Sequence, residues 1–145
     1  MKINILHISK PCKNLWAYIC MLLAITLSAK AQQVTVDASI DSLQLLIGEQ
    51  TKIKLEVSMD AQQKLQLPQL MVRDTLVRGV EVVDIAKPDT QMLNDGKRML
   101  IQQQYTVTSF DSALYYLPPF EVLVNDQAYR SKALALKVYS MPVDT

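Results

Sequence analysis

The chain contains little cysteine, histidine or glycine, and the positions of the few that occur limit its chemistry. It has two cysteines, one histidine and three glycines. Cys12, Cys20 and His7 all lie in the first 31 residues, so the remaining 114 residues contain no cysteine and no histidine. Those 114 residues therefore lack the side chains for a disulfide, a Cys/His zinc site or a Ser-His-Asp triad.

Isolated glycines and a weak net charge exclude two further kinds of site. Gly48, Gly79 and Gly96 stand alone and form no glycine-rich loop of the kind that binds phosphate. Beyond residue 31 there are 11 basic and 14 acidic side chains, because four of the 15 Lys and Arg residues precede it, and the net charge is −3. We therefore expect no basic surface for nucleic acid or for an anionic membrane.

The first 31 residues have the three parts of a secretory signal peptide. Three lysines give a basic start, Leu15–Leu27 is an apolar run of 13 residues, and Ala29–Ala31 has the small-x-small pattern of a cleavage site. The run is shorter than the roughly 20 residues that a membrane-spanning helix needs, which argues against a retained anchor. We therefore predict a signal peptide at residues 1–31, with export of residues 32–145 to the periplasm or cell envelope.

Apolar residues recur at every second position through most of residues 32–145. The alternating residues expected to face the core are Val34, Val36, Ala38, Ile40, Ile53, Leu55, Val57, Met99, Ile101, Gln103, Tyr105, Val107, Phe120, Val122, Val124, Leu134, Leu136 and Val138. Such alternation is typical of antiparallel strands with one wet face, although Gln103 interrupts the apolar pattern. About seven strands with turn signals between them predict an all-β fold, an immunoglobulin-like antiparallel β-sandwich, in one domain over residues 32–145.

Short polar stretches and one proline mark the ends of strands. Asn94–Gly96 and Asn125–Gln127 contain Asn, Asp or Gly, which tolerate positive φ angles, and they predict hairpins. Pro68 has no N–H for a sheet ladder. We therefore expect an edge strand or a bridging loop around Pro68.

The stretch LYYLPPF at residues 114–120 predicts a corner between two strands. Pro118 and Pro119 supply no ladder donor, so one strand ends there and the next begins. Tyr115 and Tyr116 alternate sides of the strand, so one ring can pack inward while its hydroxyl bonds the nearby backbone. A packing role is therefore favoured over ligand stacking for these tyrosines.

The acidic residues do not form the pattern of a catalytic or metal-binding site. Two groups offer oxygen ligands but lack the spacing of a dedicated calcium loop: Asp37 with Asp41, and Asn94 with Asp95. Four glutamates have no paired carboxylate close in sequence: Glu49, Glu56, Glu81 and Glu121. We therefore predict no catalytic, cofactor-binding or metal-binding residue and no enzymatic activity. The glutamine-rich residues 61–70 and 101–107 could expose backbone or amide groups at a sheet edge, where strand addition binds proteins. For each residue singly, the favoured role of Gln and Lys is to keep the sheets soluble.

Two long stretches resemble the BatD family of bacterial aerotolerance (Bat) proteins: VTVDASIDSLQLLIGEQTKIKLEV at residues 34–57 and YTVTSFDSALYYLPPFEVLVNDQAYRSKALALKVYS at residues 105–140. The shared features, in order, are Gly48-Glu49 before a strand, Tyr105 to Thr108, the corner Leu117-Pro118-Pro119, Val122 to Val124, Tyr129 with Ser131, and Leu134 to Val138. The family usually has a glycine in the loop before the corner, whereas this chain has Asp111-Ser112-Ala113 there. Family members are commonly longer, with further β domains and a C-terminal membrane segment. We therefore expect a fragment, a truncated product or a shorter relative.

The resemblance implies a role in the envelope of Gram-negative bacteria. The expected partners are other envelope proteins, namely von Willebrand A-type or helical-repeat Bat proteins, and the family name links them to stress or oxygen tolerance. No catalytic motif is implied, so a non-enzymatic protein-protein interaction module is predicted, with membrane association only through a C-terminal anchor outside this chain. The alternative is a secreted adhesion or carbohydrate-binding β-sandwich with an exposed aromatic platform at Tyr115 or Tyr129.

Overall fold

The computed structural model describes residues 14–22 and 33–141. The chain divides into two compact units, Met1–Gln33 and Val34–Thr145. In the first unit, residues 14–22 form a helix with exposed side chains, while the predicted cleavage site after Ala31 lies outside the described residues. Within the described ranges, no helix is both long and apolar enough to cross a membrane.

The second unit is made of β-strands, which confirms the all-β prediction. Twelve strands occur in the described residues: β1 (Thr35–Ile40), β2 (Gln44–Leu46), β3 (Gln50–Asp60), β4 (Leu65–Gln66), β5 (Thr75–Val77), β6 (Val80–Ile85), β7 (Asp89–Leu93), β8 (Arg98–Thr108), β9 (Ala113–Leu117), β10 (Glu121–Val124), β11 (Gln127–Arg130) and β12 (Leu134–Tyr139). They exceed the expected seven because the prolines and irregular stretches divide longer strands into segments. Thus β9 and β10 flank the Pro-Pro pair, and β6 and β7 flank Pro88.

The strands form three sheets. The largest has the order β1-β3-β8-β6-β5, with β7 also paired to β8, and the smaller two have the orders β11-β10-β4 and β2-β12-β9. The strand pairs are antiparallel, as predicted, except for the parallel pair of β2 with β12. Because β9 and β10 pair with β12 and β11, residues 113–139 form one long hairpin that is interrupted near its middle.

Strands β3 and β8 form the centre of the large sheet. They pair along their full length, from Gln50 opposite Thr108 to Asp60 opposite Arg98. Every second residue of β3 is buried in the core: Thr51, Ile53, Leu55, Val57 and Met59. The alternation predicts the central three of these, Ile53, Leu55 and Val57. Full burial of one such aliphatic side chain contributes about 1.5–3 kcal/mol, so this pair of strands is a main source of stability.

The two predicted hairpin turns are present. Asn94, Asp95 and Gly96 have φ angles of 50°, 55° and 83° and connect β7 to β8. Asn125 and Asp126 have φ angles of 49° and 64° and connect β10 to β11. Asn, Asp and Gly enter this left-handed region most readily, so the local sequence explains both turns.

The two glutamine-rich stretches, residues 61–70 and 101–107, occupy different positions in the sheets. Strand β4, close to Pro68, has two residues and pairs only with β10 among the described strands, which confirms an edge there. Residues 101–107 do not lie at an edge, because they belong to β8, which has β3 on one side and β6 with β7 on the other. Gln102 instead donates a hydrogen bond across the sheet to Glu56 at 3.0 Å.

Candidate protein-binding site

The Pro-Pro corner interrupts the long hairpin, and Ser131 supplies hydrogen bonds at the interruption. The N–H of Ser131 donates to the C=O of Phe120 at 2.9 Å, and the N–H of Phe120 donates to Ser131 Oγ, also at 2.9 Å. The serine hydroxyl donates in turn to the C=O of Lys132 at 3.0 Å. Pro118 and Pro119 interrupt the backbone ladder, and the buried Ser131 side chain accepts the hydrogen bond that a backbone C=O would otherwise accept.

Tyr105 and Phe120 connect the corner to the core. Their rings stack with centroids 5.5 Å apart and an angle of 11° between the planes. The Tyr105 hydroxyl donates to Gln103 Oε1 at 2.8 Å, and Gln103 Nε2 donates to the C=O of Ala86 at 3.3 Å. Gln103 faces the core, as its position in the alternation predicts. Its burial is tolerated because both of its polar atoms have hydrogen-bonding partners. Burial raises the pKa of Tyr105 to about 12.

Tyr115 is the inward-facing tyrosine of the corner stretch. It is 8% exposed, whereas Tyr116 is 71% exposed. The Tyr115 hydroxyl donates to the C=O of Asp111 at 2.9 Å, which confirms the predicted backbone partner. Its ring lies against Gly79, where a Cβ atom would come within 2.6 Å of the ring. Backbone and ring thus fit together only because residue 79 has no side chain.

An apolar groove lies beside the corner. Its volume is about 220 Å³, and it is lined by Pro68, Leu70, Thr75, Leu76, Leu117, Pro118, Pro119, Phe120 and Glu121. One wall comes from the corner and the other from β5 and the segment before it. Pockets for small molecules typically measure about 300–1,000 Å³, so this groove is smaller than a typical small-molecule pocket.

The rim of the groove carries a surface ion pair. Glu121 faces Arg130 across the β10–β11 ladder, with the carboxylate oxygen 3.0 Å from the guanidinium Nε. Both side chains are well exposed, so the pair contributes little to stability. It places both signs of charge next to an apolar surface, which is the usual arrangement of a protein-binding core with a polar rim.

The structure does not bring together the acidic residues that the sequence offers as metal ligands or catalytic pairs. Asp37 lies 3.7 Å from the ammonium of Lys132, and Glu49 accepts a hydrogen bond from its own loop at the N–H of Leu46, at 2.9 Å. Asn94 and Asp95 form the tip of a hairpin. Among the residues that the structure describes, no group of three or more His, Cys, Asp or Glu is placed to hold a metal ion.

Sequence reasoning identified the corner but missed the groove. Leu76 and Pro118 lie far apart in sequence, and no local pattern indicates that they line the same groove. Tyr115, one of the two tyrosines expected to form an aromatic platform in the alternative function, is buried. Tyr129, the other, packs in part against the core.

Comparison with known proteins identifies the family. No curated protein matches the chain. The family model described as a BatD DUF11-like domain matches residues 38–138, which is more than half of the chain and covers the corner, its serine and all the lining residues of the groove. Because this match covers more than half of the chain, the chain belongs to the BatD family.

Proposed function

We propose that this domain is a non-enzymatic protein-binding module of a Bat-like complex in the cell envelope, exported by its signal peptide. The observation that carries the proposal is the apolar groove at the Pro-Pro corner, whose lining residues all lie within the family match. A small apolar pocket with a polar rim accepts an anchoring side chain from a partner. Membership of the family supports a role of the complex in stress or oxygen tolerance.

The partner is another envelope protein, a von Willebrand A-type or helical-repeat Bat protein, which inserts an apolar side chain into the groove. The groove supports the insertion of an apolar side chain because its lining is mostly leucine and proline. Its volume is below the range typical for a metabolite pocket.

The alternative, an adhesion or carbohydrate-binding sandwich, has weaker support. It relies on an exposed aromatic platform at Tyr115 or Tyr129, and both of these residues contact the core. Tyr116 is the exposed tyrosine of the corner stretch, and a single exposed ring is a small platform for a sugar.

Co-purification under mild detergent tests the proposal. The tagged full chain is recovered from its own bacterium, and the von Willebrand A-type and helical-repeat proteins that accompany it are quantified. Thr75→Arg places a charge in the groove from an exposed position, and it should lower the recovery about 10-fold, as expected for the loss of an interface anchor.

Thr35→Arg is the matched control, because Thr35 is an exposed threonine on β1 that does not line the groove. This variant should recover the partners as the parent chain does. If neither class of partner is recovered with the parent chain, or if both variants lower the recovery equally, the proposal is wrong.

A further inference from the structure

Strand β7 presents an open edge of the large sheet. All five of its residues are exposed, and among the described strands it pairs with β8 alone. Met92 and Leu93 are 57% and 40% exposed, although they belong to the sheet that supplies most of the core. An exposed edge with apolar side chains is a template for the addition of another strand.

The backbone groups of Thr90 and Met92 point out from this edge. The N–H of Ala86 donates to the C=O of Gln104 at 3.0 Å, so Gln104 directs its backbone groups toward the β6 and β7 side of β8. Hydrogen-bonding direction alternates along a strand, and the other even-numbered residues of β8 do the same. They pair with the odd-numbered residues of β7, which leaves the even-numbered residues of β7 directed outward.

We propose that β7 pairs with β7 of a second copy of this chain, antiparallel and centred on Gln91. In this register Thr90 of each copy lies opposite Met92 of the other, and about four backbone hydrogen bonds form between the copies. The exposed Met92 then lies in one row with Thr90 and Ile101 of the second copy, since Thr90 is already opposite Ile101 on β8. This inference does not depend on the groove.

The charges that flank β7 select this register. Lys87 and Asp95 lie four residues before and four residues after Gln91, and both are exposed, so the pairing brings each Lys87 toward Asp95 of the other copy. A shift of the axis to Met92 would set Asp89 opposite Asp95, two like charges. A shift to Thr90 would set Met92 opposite Pro88, which has no N–H to donate.

Cysteine cross-linking tests the contact and its register. In purified chain carrying Cys12→Ser and Cys20→Ser, Gln91→Cys places a thiol on the axis, where the facing Cα atoms are about 4.5 Å apart and within disulfide range. Mild oxidation should give a covalent dimer on a non-reducing gel. Leu93→Cys, on the same strand and the same face, lies opposite Asp89 and should cross-link at least about 10-fold more slowly.

Analytical ultracentrifugation of the chain that carries only Cys12→Ser and Cys20→Ser measures the equilibrium between monomer and dimer. A five-residue edge is smaller than a standard interface, so we expect monomer at about 10 μM and a substantial dimer fraction at about 1 mM. Lys87→Glu should weaken the dimer, and the double variant Lys87→Glu/Asp95→Lys should restore it. Circular dichroism confirms that each variant folds.

Three results would overturn the inference. The first is a monomer throughout this concentration range. The second is equal cross-linking of the two cysteine variants, and the third is a failure of the double charge swap to restore the association of a folded chain. Loss of the Bat partners in the co-purification would leave these measurements unchanged, so this inference and the proposed function fail independently.

Discussion

Ser131 and Phe120 exchange two hydrogen bonds at the Pro-Pro corner, one between backbone groups and one from the Phe120 N–H to the serine Oγ, each 2.9 Å long. The serine side chain lies where a regular hairpin would place a backbone acceptor. The corner is therefore held by a specific side chain and not only by the stiffness of two prolines. It also forms one wall of the groove that we propose as the binding site of a protein partner.

Ser131→Ala removes the acceptor of a buried N–H. An unsatisfied buried donor costs about 1–3 kcal/mol, so the free energy of unfolding should fall by about that amount. Urea denaturation measures the change. Ser131→Thr keeps the hydroxyl and serves as the control, and it should lose less stability than the alanine variant. Equal losses in the two variants would show that the hydroxyl does not hold the corner.

Gly79→Ala should destabilise the domain through a clash with Tyr115. The added Cβ would lie 2.6 Å from the ring, at a φ of +102° that side chains rarely adopt. Gly48→Ala is the matched control, because Gly48 also has a positive φ, +85°, but no atom within 4 Å of the added Cβ. Gly79→Ala should cost at least about 1 kcal/mol more than the control in urea denaturation, as expected for overpacking. If the two variants lose the same stability, the ring is free to move aside.

The sequence predicts those features that depend on neighbouring residues. Alternation places the inward residues of β3 correctly, and Asn, Asp and Gly mark both hairpins. The proline pair predicts the corner, since the missing N–H groups are a property of the residues themselves.

Features that depend on contacts between residues far apart in the chain cannot be predicted from local sequence patterns. The polar side chains of Gln102 to Gln104 suggest an edge, but β8 is central because its long register with β3 buries the alternate residues. Gln103 is compatible with this position only through Tyr105 and Ala86, its hydrogen-bonding partners. The parallel pairing of β2 with β12 and the groove likewise arise from contacts that no local pattern records.

Tyr115→Ala and Tyr116→Ala should differ strongly although the residues are adjacent. Tyr115 is buried against Gly79 and donates to the C=O of Asp111, whereas Tyr116 is 71% exposed. Truncating a large buried aromatic ring costs about 3–5 kcal/mol, while an exposed substitution stays within about 0.5 kcal/mol. Thermal or urea unfolding of the two variants makes the comparison. A larger loss for Tyr116→Ala would reverse the assignment of the two faces of β9.

Tyr105 should make stability decrease with pH in alkaline solution. Its pKa rises from 10.0 to about 12 in the folded chain because burial disfavours the phenolate. The unfolded chain therefore releases the phenolic proton first, and the stabilisation that is complete below pH 10 is lost as the pH rises toward 12. One pKa unit corresponds to about 1.4 kcal/mol, so the loss over this range is about 2–3 kcal/mol. Tyr105→Phe lacks the titrating group, and unfolding curves of both proteins from pH 9 to 12 isolate its contribution from those of the other tyrosines and the lysines. Parallel declines in the two proteins would show that Tyr105 does not cause the alkaline loss.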